Sequence, residues 1–184
     1  MMKTIFLLFL STVSFAFAQV ETIDLGSRGK ITLYLLGEWK SDISTIGGST
    51  TLTLSPTRES INASATLAIS FPDVDRLDTK SRLKLRVEAD GYGVAEESVE
   101  GRAVAREFRL PAGMMGFYCS FTDRNLRGQP PQKGNYKVLT IGKIKLAPDV
   151  LVDVQIMADG FRDEPYQQLL GAIEGMEFTP GRGR

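Results

Sequence analysis

The sequence predicts an α+β fold: a mainly antiparallel β-sheet flanked by two principal helices. Three observations carry that prediction. Several segments alternate apolar with polar side chains, the period-two pattern of half-buried strands. Two segments carry helix signals instead, one before residue 90 and one close to the C-terminus. Most of the strand candidates are joined by short turns, and short connections make antiparallel neighbours.

The elements follow in chain order. Residues 20–25 and 31–36 read as strands joined by the turn Gly26-Ser27-Arg28-Gly29, and Gly37-Glu38-Trp39 ends the second of them. Residues 50–54 and 65–71 are further strands, punctuated by Pro56 and Pro72. In the latter, Ala65, Leu67, Ile69 and Phe71 share one face. Residues 78–89 carry two patterns. Leu83, Leu85, Val87 and Ala89 alternate as a strand would, whereas Asp78 suits a helix N-cap and Leu83 with Val87 form an i,i+4 pair. The richness in Lys, Arg, Leu, Glu and Ala favours a helix, ended by Gly91 and Gly93. Residues 94–99 and 102–110 then read as a hairpin about Glu100-Gly101, and residues 114–122 as a central apolar strand. Residues 136–145 and 150–158 form another hairpin across Ala147-Pro148-Asp149. The last helix has Asp163 as its cap, Pro165 in its first turn, an apolar face of Tyr166, Leu169, Leu170 and Ile173, and Gly175 as its stop.

The first eighteen residues carry Lys3, an apolar stretch from Ile5 to Phe17 and the small residues Ala16 and Ala18. That order of charge, short apolar run and A-x-A site is a secretory signal peptide, cleaved between Ala18 and Gln19. The stretch is too short for the roughly 20 residues of a membrane span and is broken by Ser11, Thr12 and Ser14. The organisation expected is therefore a signal peptide over 1–18, a single domain over 19–180 and a flexible basic tail over 181–184. The mature chain is expected to be periplasmic or secreted, with no insertion into the membrane.

Lys and Arg number 22 against 22 Asp and Glu, so the charge balance gives no footprint for nucleic acid. The chain has no histidine, which excludes Ser-His-Asp and Cys-His catalysis and the usual zinc sites. The single cysteine, Cys119, cannot form an internal disulfide, and alternation places it with Met115, Phe117 and Phe121 on a buried face. No cofactor and no metal site are expected. Asp73, Asp75 and Asp78 lack calcium-loop spacing and read as a solvated loop and helix cap. Glu96 and Glu97, adjacent on a predicted strand, point to opposite faces and do not make a catalytic pair. Asn62-Ala63-Ser64 fits a glycosylation sequon formally.

Two places remain as candidates for binding. The connection 123–135 is long for a compact domain, and its Arg124 and Arg127 have the chemistry to hold a carboxylate or phosphate. Trp39, the single tryptophan, marks either a ligand surface or, more in keeping with its size, a core anchor.

The segment Phe121-Thr122-Asp123-Arg124-Asn125-Leu126, followed by Gly134-Asn135-Tyr136-Lys137-Val138-Leu139-Thr140-Ile141-Gly142, resembles a family of secreted bacterial proteins of unknown function. The element order, with Gly37-Glu38-Trp39, is similar to the wider Mog1/PsbP-like fold. The resemblance implies an antiparallel sandwich with flanking helices and a non-catalytic accessory role, and it transfers no catalytic residue. The function expected is that of a non-catalytic binding or accessory module of the cell envelope, its partner an envelope protein or a small anionic ligand. The alternatives are a carboxylate-dependent hydrolase and a self-associating structural component of the envelope.

Overall fold

The computed structural model describes residues 18–72 and 76–181. The architecture is α+β, with ten strands in two sheets and two α-helices. Strands β1 (Ala18–Asp24) and β2 (Gly29–Leu36) form the expected hairpin, and β10 (Glu177–Pro180) adds to the other edge of β2. The second sheet has seven strands. They are β3 (Trp39–Ile46), β4 (Ser49–Pro56), β5 (Ala63–Ser70), β6 (Arg106–Glu107), β7 (Met115–Thr122), β8 (Val138–Ala147) and β9 (Val150–Ala158). Their spatial order is β3-β4-β5-β9-β8-β7-β6, and every neighbouring pair is antiparallel. Helix α1 spans Lys80–Glu97 and α2 spans Glu164–Glu174.

The larger core lies on one face of the seven-stranded sheet. Alternation sends Leu52 and Leu54 of β4, Leu67 and Ile69 of β5, and Val152 and Ile156 of β9 to that face, all fully buried. They join Ile31, Leu33 and Leu35 of β2 and Leu169 and Ile173 of α2 in one cluster. A polar chain crosses this core: Ser120 and Thr140 hydroxyls lie 2.9 Å apart, and Thr140 meets the Tyr166 hydroxyl at 2.7 Å. Each buried hydroxyl thus has a partner, which removes the cost of burying it.

The opposite face holds a smaller core. Leu83, Val87, Gly91 and Ala95, four residues apart, make a stripe along α1 that packs on Phe117, Cys119 and Phe121 of β7. Cys119 is fully buried there, and burial together with the nearby Glu88 charge pushes its thiol up to about 11. A thiol so placed is held in its neutral, unreactive form.

Four expectations about elements need correction. Helix α1 does not stop at Gly91 but continues through Gly93 to Glu97, so residues 94–99 are helix and turn rather than strand. Its N-cap is Thr79, whose hydroxyl accepts from the Arg82 amide, and not Asp78, which pairs with the Arg82 side chain. Of residues 102–110 only Arg106–Glu107 pairs as a strand. Ala103 and Ala105 instead pack beside α1, and the Ala105 amide donates to Glu88. Strand β7 is next to the end of its sheet; the central strand is β9. Strands β3 and β10 are additional to the elements expected from the sequence. In α2, Asp163 holds the N-cap position through its backbone, its carbonyl accepting from the Gln167 amide, with no side-chain cap bond.

Candidate functional site

Helix α1 covers β7 and part of β8 and leaves the same face of β9, β5 and β4 open. The register sets the rows that run from β8, under the edge of α1, out across the open strands. Thr53, Thr66, Gln155 and Ile141 lie side by side on successive strands, as do Thr51, Ala68, Asp153 and Lys143. A groove runs between this hydroxyl-rich surface and the flank of α1, a helix about 27 Å long at 1.5 Å per residue.

Three hollows make up the groove, the first two sharing Lys143 and the last two sharing Val94 and Leu139 in their linings. At the N-terminal end of α1, a hollow of about 240 Å³ has Leu77 and Leu151 as its floor and Arg76, Arg86, Lys143 and Lys145 around it. In the middle, about 320 Å³ is bounded by Val87, Asp90 and Val94 of α1, by Leu139, Ile141 and Lys143 of β8, and by Asp153 and Gln155 of β9. At the far end, about 390 Å³ opens between Val94 and Leu139 on one side and Asn125, Tyr136 and Lys137 on the other.

Lys143 holds the two walls together. Its side chain is only 13% exposed, and its ammonium lies 3.2 Å from Asp90 of α1 and also bonds Asp153 of β9. Asp90 in turn takes the Arg86 guanidinium at 2.9 Å. Lys145 donates to the Leu77 carbonyl at 3.3 Å, and Arg76 stands exposed at the rim. No carboxylate of the described residues lines the N-terminal hollow. The groove thus gathers four cations at one end, while its middle sets the aliphatic Val87, Val94, Leu139 and Ile141 beside the Asp90–Lys143–Asp153 ion pairs.

The structure places the sequence candidates elsewhere. Trp39 is 4% exposed within the larger core, its indole N–H donating to the Leu36 carbonyl at 2.9 Å. Arg124 donates to the carbonyls of Glu96 at 3.3 Å and Ser98 at 2.7 Å, so its cation sits on the C-terminal end of α1, where the helix dipole favours it. Arg127 is exposed, away from the groove. Asp73 and Asp75 lie outside the described residues, as do residues 1–17 of the expected leader and 182–184 of the tail; Gly181 is bonded to the Arg28 carbonyl. Gln19, expected to open the mature chain, receives the Trp39 amide on its side-chain oxygen at 3.4 Å. The groove cations are not among the residues expected from the sequence, although one signal points to them. Lys143 and Lys145 alternate with Gly142, Ile144 and Leu146 on β8, which puts two lysines on the face away from the larger core.

Glu100 ties the loop after α1 to β7. Its two carboxylate oxygens accept from the Thr122 amide at 2.7 Å and the Thr122 hydroxyl at 2.9 Å. Burial pushes this carboxyl up, but the bonds from Thr122, its own amide and Ser98 outweigh it and hold it below its usual value. A depressed folded value contributes stability above the unfolded pKa, roughly 4.3, and that contribution is lost as pH falls through the folded value. Glu100→Gln is accordingly expected to be less stable than the parent at pH 7 and to lose less on acidification. Urea midpoints measured between neutral and acid pH check this, and parallel curves for the two proteins would contradict it.

No known protein family and no curated protein matches this chain, so the reading of its function rests on the groove.

Proposed function

We propose that the chain is an exported, non-catalytic binding module of the cell envelope, acting in the periplasm or outside the cell, with the groove beside α1 as its ligand seat. The observation that carries this reading is a hollow edged by Arg76, Arg86, Lys143 and Lys145 that adjoins a channel with Val87, Val94, Leu139 and Ile141 in its walls. A ligand that suits both parts is an elongated amphiphile with an anionic end, a carboxylate or phosphate. Its charged end would sit among Arg76, Arg86, Lys143 and Lys145, and its apolar body along Val87, Val94, Leu139 and Ile141. Arginine favours such anions through its paired N–H donors. The resemblance to the Mog1/PsbP-like proteins is in keeping with an accessory role. Further support comes from the carboxylates themselves. Asp90 and Asp153 both line the middle hollow, but each is paired there with the Lys143 ammonium, and Glu100 is spent on the Thr122 amide and hydroxyl.

Titration with anilinonaphthalene sulfonate, an apolar ring system bearing one anionic group, tests the seat. Saturable binding is expected. It should weaken about tenfold, equivalent to about 1.4 kcal/mol, in Arg76→Glu, and by a similar factor in Leu151→Asn, which spoils the floor while leaving the cations in place. Absence of saturable binding to the parent, or an affinity in both variants unchanged from the parent, would remove the groove as the seat.

A further inference from the structure

We propose that β3 is a self-pairing edge through which two copies of this chain join their seven-stranded sheets into one. The argument begins at the β3–β4 turn. Gly47 and Gly48 have φ of 60° and 82°, the pair of positive values that a two-residue type I′ hairpin requires. Ile46 and Ser49 close that hairpin as a bonded pair. Bonded and non-bonded pairs alternate along an antiparallel ladder. Ser44, Asp42 and Lys40 therefore bond β4, while Thr45, Ile43 and Ser41 aim their amides and carbonyls outward. Pro56, which has no N–H, faces Trp39 at a non-bonded position, as this phase demands.

The outward edge has no partner strand among the described residues. It also lacks the usual protection. No proline and no bulge interrupts β3, and Lys40 is its one lysine. Two large apolar side chains stand exposed on it, Ile43 at 45% and Ile46 at 80%. The Trp39 amide is already taken by Gln19, so the free edge comprises Ser41, Ile43 and Thr45.

Those three residues select both partner and register. In an antiparallel pair with its two-fold axis at Ile43, Ile43 meets Ile43, Ser41 meets Thr45 and Asp42 meets Ser44. All three outward residues are then bonded, and the apolar side chain is covered by its own copy. The exposed Ile46 falls opposite Lys40, whose aliphatic stem covers it. Moving the axis to residue 42 opposes Asp42 to Asp42, a destabilising like-charge pair. Moving it to residue 41 needs the Trp39 amide. The charge balance of 22 against 22 sets up no general repulsion between copies. Because β3 and β7 lie toward opposite ends of the sheet, this pairing leaves the groove beside α1 open in each copy.

Sedimentation equilibrium of the purified protein over a range of concentrations tests the proposal. A monomer–dimer equilibrium is expected, weakened at least tenfold by Ile43→Lys, whose exposed position spares the core. Ile43→Cys is expected to yield a disulfide-linked dimer on mild oxidation. Cα atoms of a bonded antiparallel pair lie about 5.5 Å apart, within disulfide range, and Cys119 is buried out of reach. A protein that stays monomeric at several hundred micromolar overturns the proposal. So does a dimer indifferent to Ile43→Lys, an Ile43→Cys variant that does not cross-link, or a foreign peptide found on the edge in place of a second copy.

Discussion

Replacing Gly91 by leucine is expected to lower stability by about 3 kcal/mol, whereas replacing Gly93 by alanine, two residues on, is expected to raise it by about 0.5 kcal/mol. Both glycines lie inside α1, and the difference is one of neighbours. A Cβ at Gly91 would stand 2.9 Å from Phe121 Cζ and 3.0 Å from Ala103 Cβ. Neither neighbour can yield readily. Phe121 is 2% exposed and belongs to the small core beneath the helix. The bulk of leucine would lift α1 from β7 and force rotamers elsewhere, the overpacking cost of a filled interior. A Cβ at Gly93 meets nothing within 4 Å. There the substitution only removes backbone freedom from the unfolded chain and improves helix propensity. Urea unfolding of the two variants beside the parent checks both signs. Since α1 forms one wall of the groove, Gly91→Leu should also alter anilinonaphthalene sulfonate binding. A Gly91→Leu variant as stable as the parent would mean that the helix does not sit this close to the sheet.

The same pair explains where the sequence was legible and where it was not. Strands β2, β5, β8 and β9 were readable because each alternates without interruption and buries one face in the larger core, so local pattern and tertiary burial agree. Helix α2 carried its own start, stripe and stop. Glycine at positions 91 and 93 argued for a helix end because glycine costs about 1 kcal/mol there relative to alanine. At Gly91 that local cost is offset by a close approach to Phe121, a residue thirty positions away, and no local pattern shows such a contact. Strand β3 escaped for the converse reason. As an edge strand it buries Trp39 and little else, so Ser41, Asp42, Ser44 and Thr45 look like loop. The groove was hidden because it needs α1 laid over β8, which brings Arg86 and Asp90 to Lys143. The long loop drew attention through its arginines, while the residue that anchors it, Asn62, lies on the far side of the chain in sequence.

Asn62→Ala is expected to cost about 2 kcal/mol and to release residues 129–135 from their fixed path. The Asn62 amide group donates to the Asp159 carboxylate at 2.7 Å and reaches the carbonyls of Gln132 at 3.2 Å and Asn135 at 3.3 Å. Its oxygen accepts from the Gly134 amide at 3.0 Å. One half-buried side chain thus joins the start of β5, the end of β9 and the loop between β7 and β8. A neutral bond contributes about 1 kcal/mol and one to a charged group about 1.5–3 kcal/mol, but the loop can open locally, so the sum is not fully realised in the global transition. Faster amide exchange at Gly134 and Asn135 should accompany the lower urea midpoint. Asn62→Asp separates the bonds from simple packing. It retains the acceptor for Gly134 but sets a second carboxylate against Asp159. Two like charges so close cannot both ionise without cost. Asn62→Asp should therefore be less stable than Asn62→Ala at pH 7 and recover relative to it as pH falls below about 5 and the pair takes up a proton. If the two variants kept the same difference at all pH values, the Asp159 contact would not be the anchor. The same bonds bear on the sequon at this residue. A glycan on Asn62 would consume an amide hydrogen already committed to Asp159 and the loop carbonyls, so attachment would carry the same structural cost as removing those bonds.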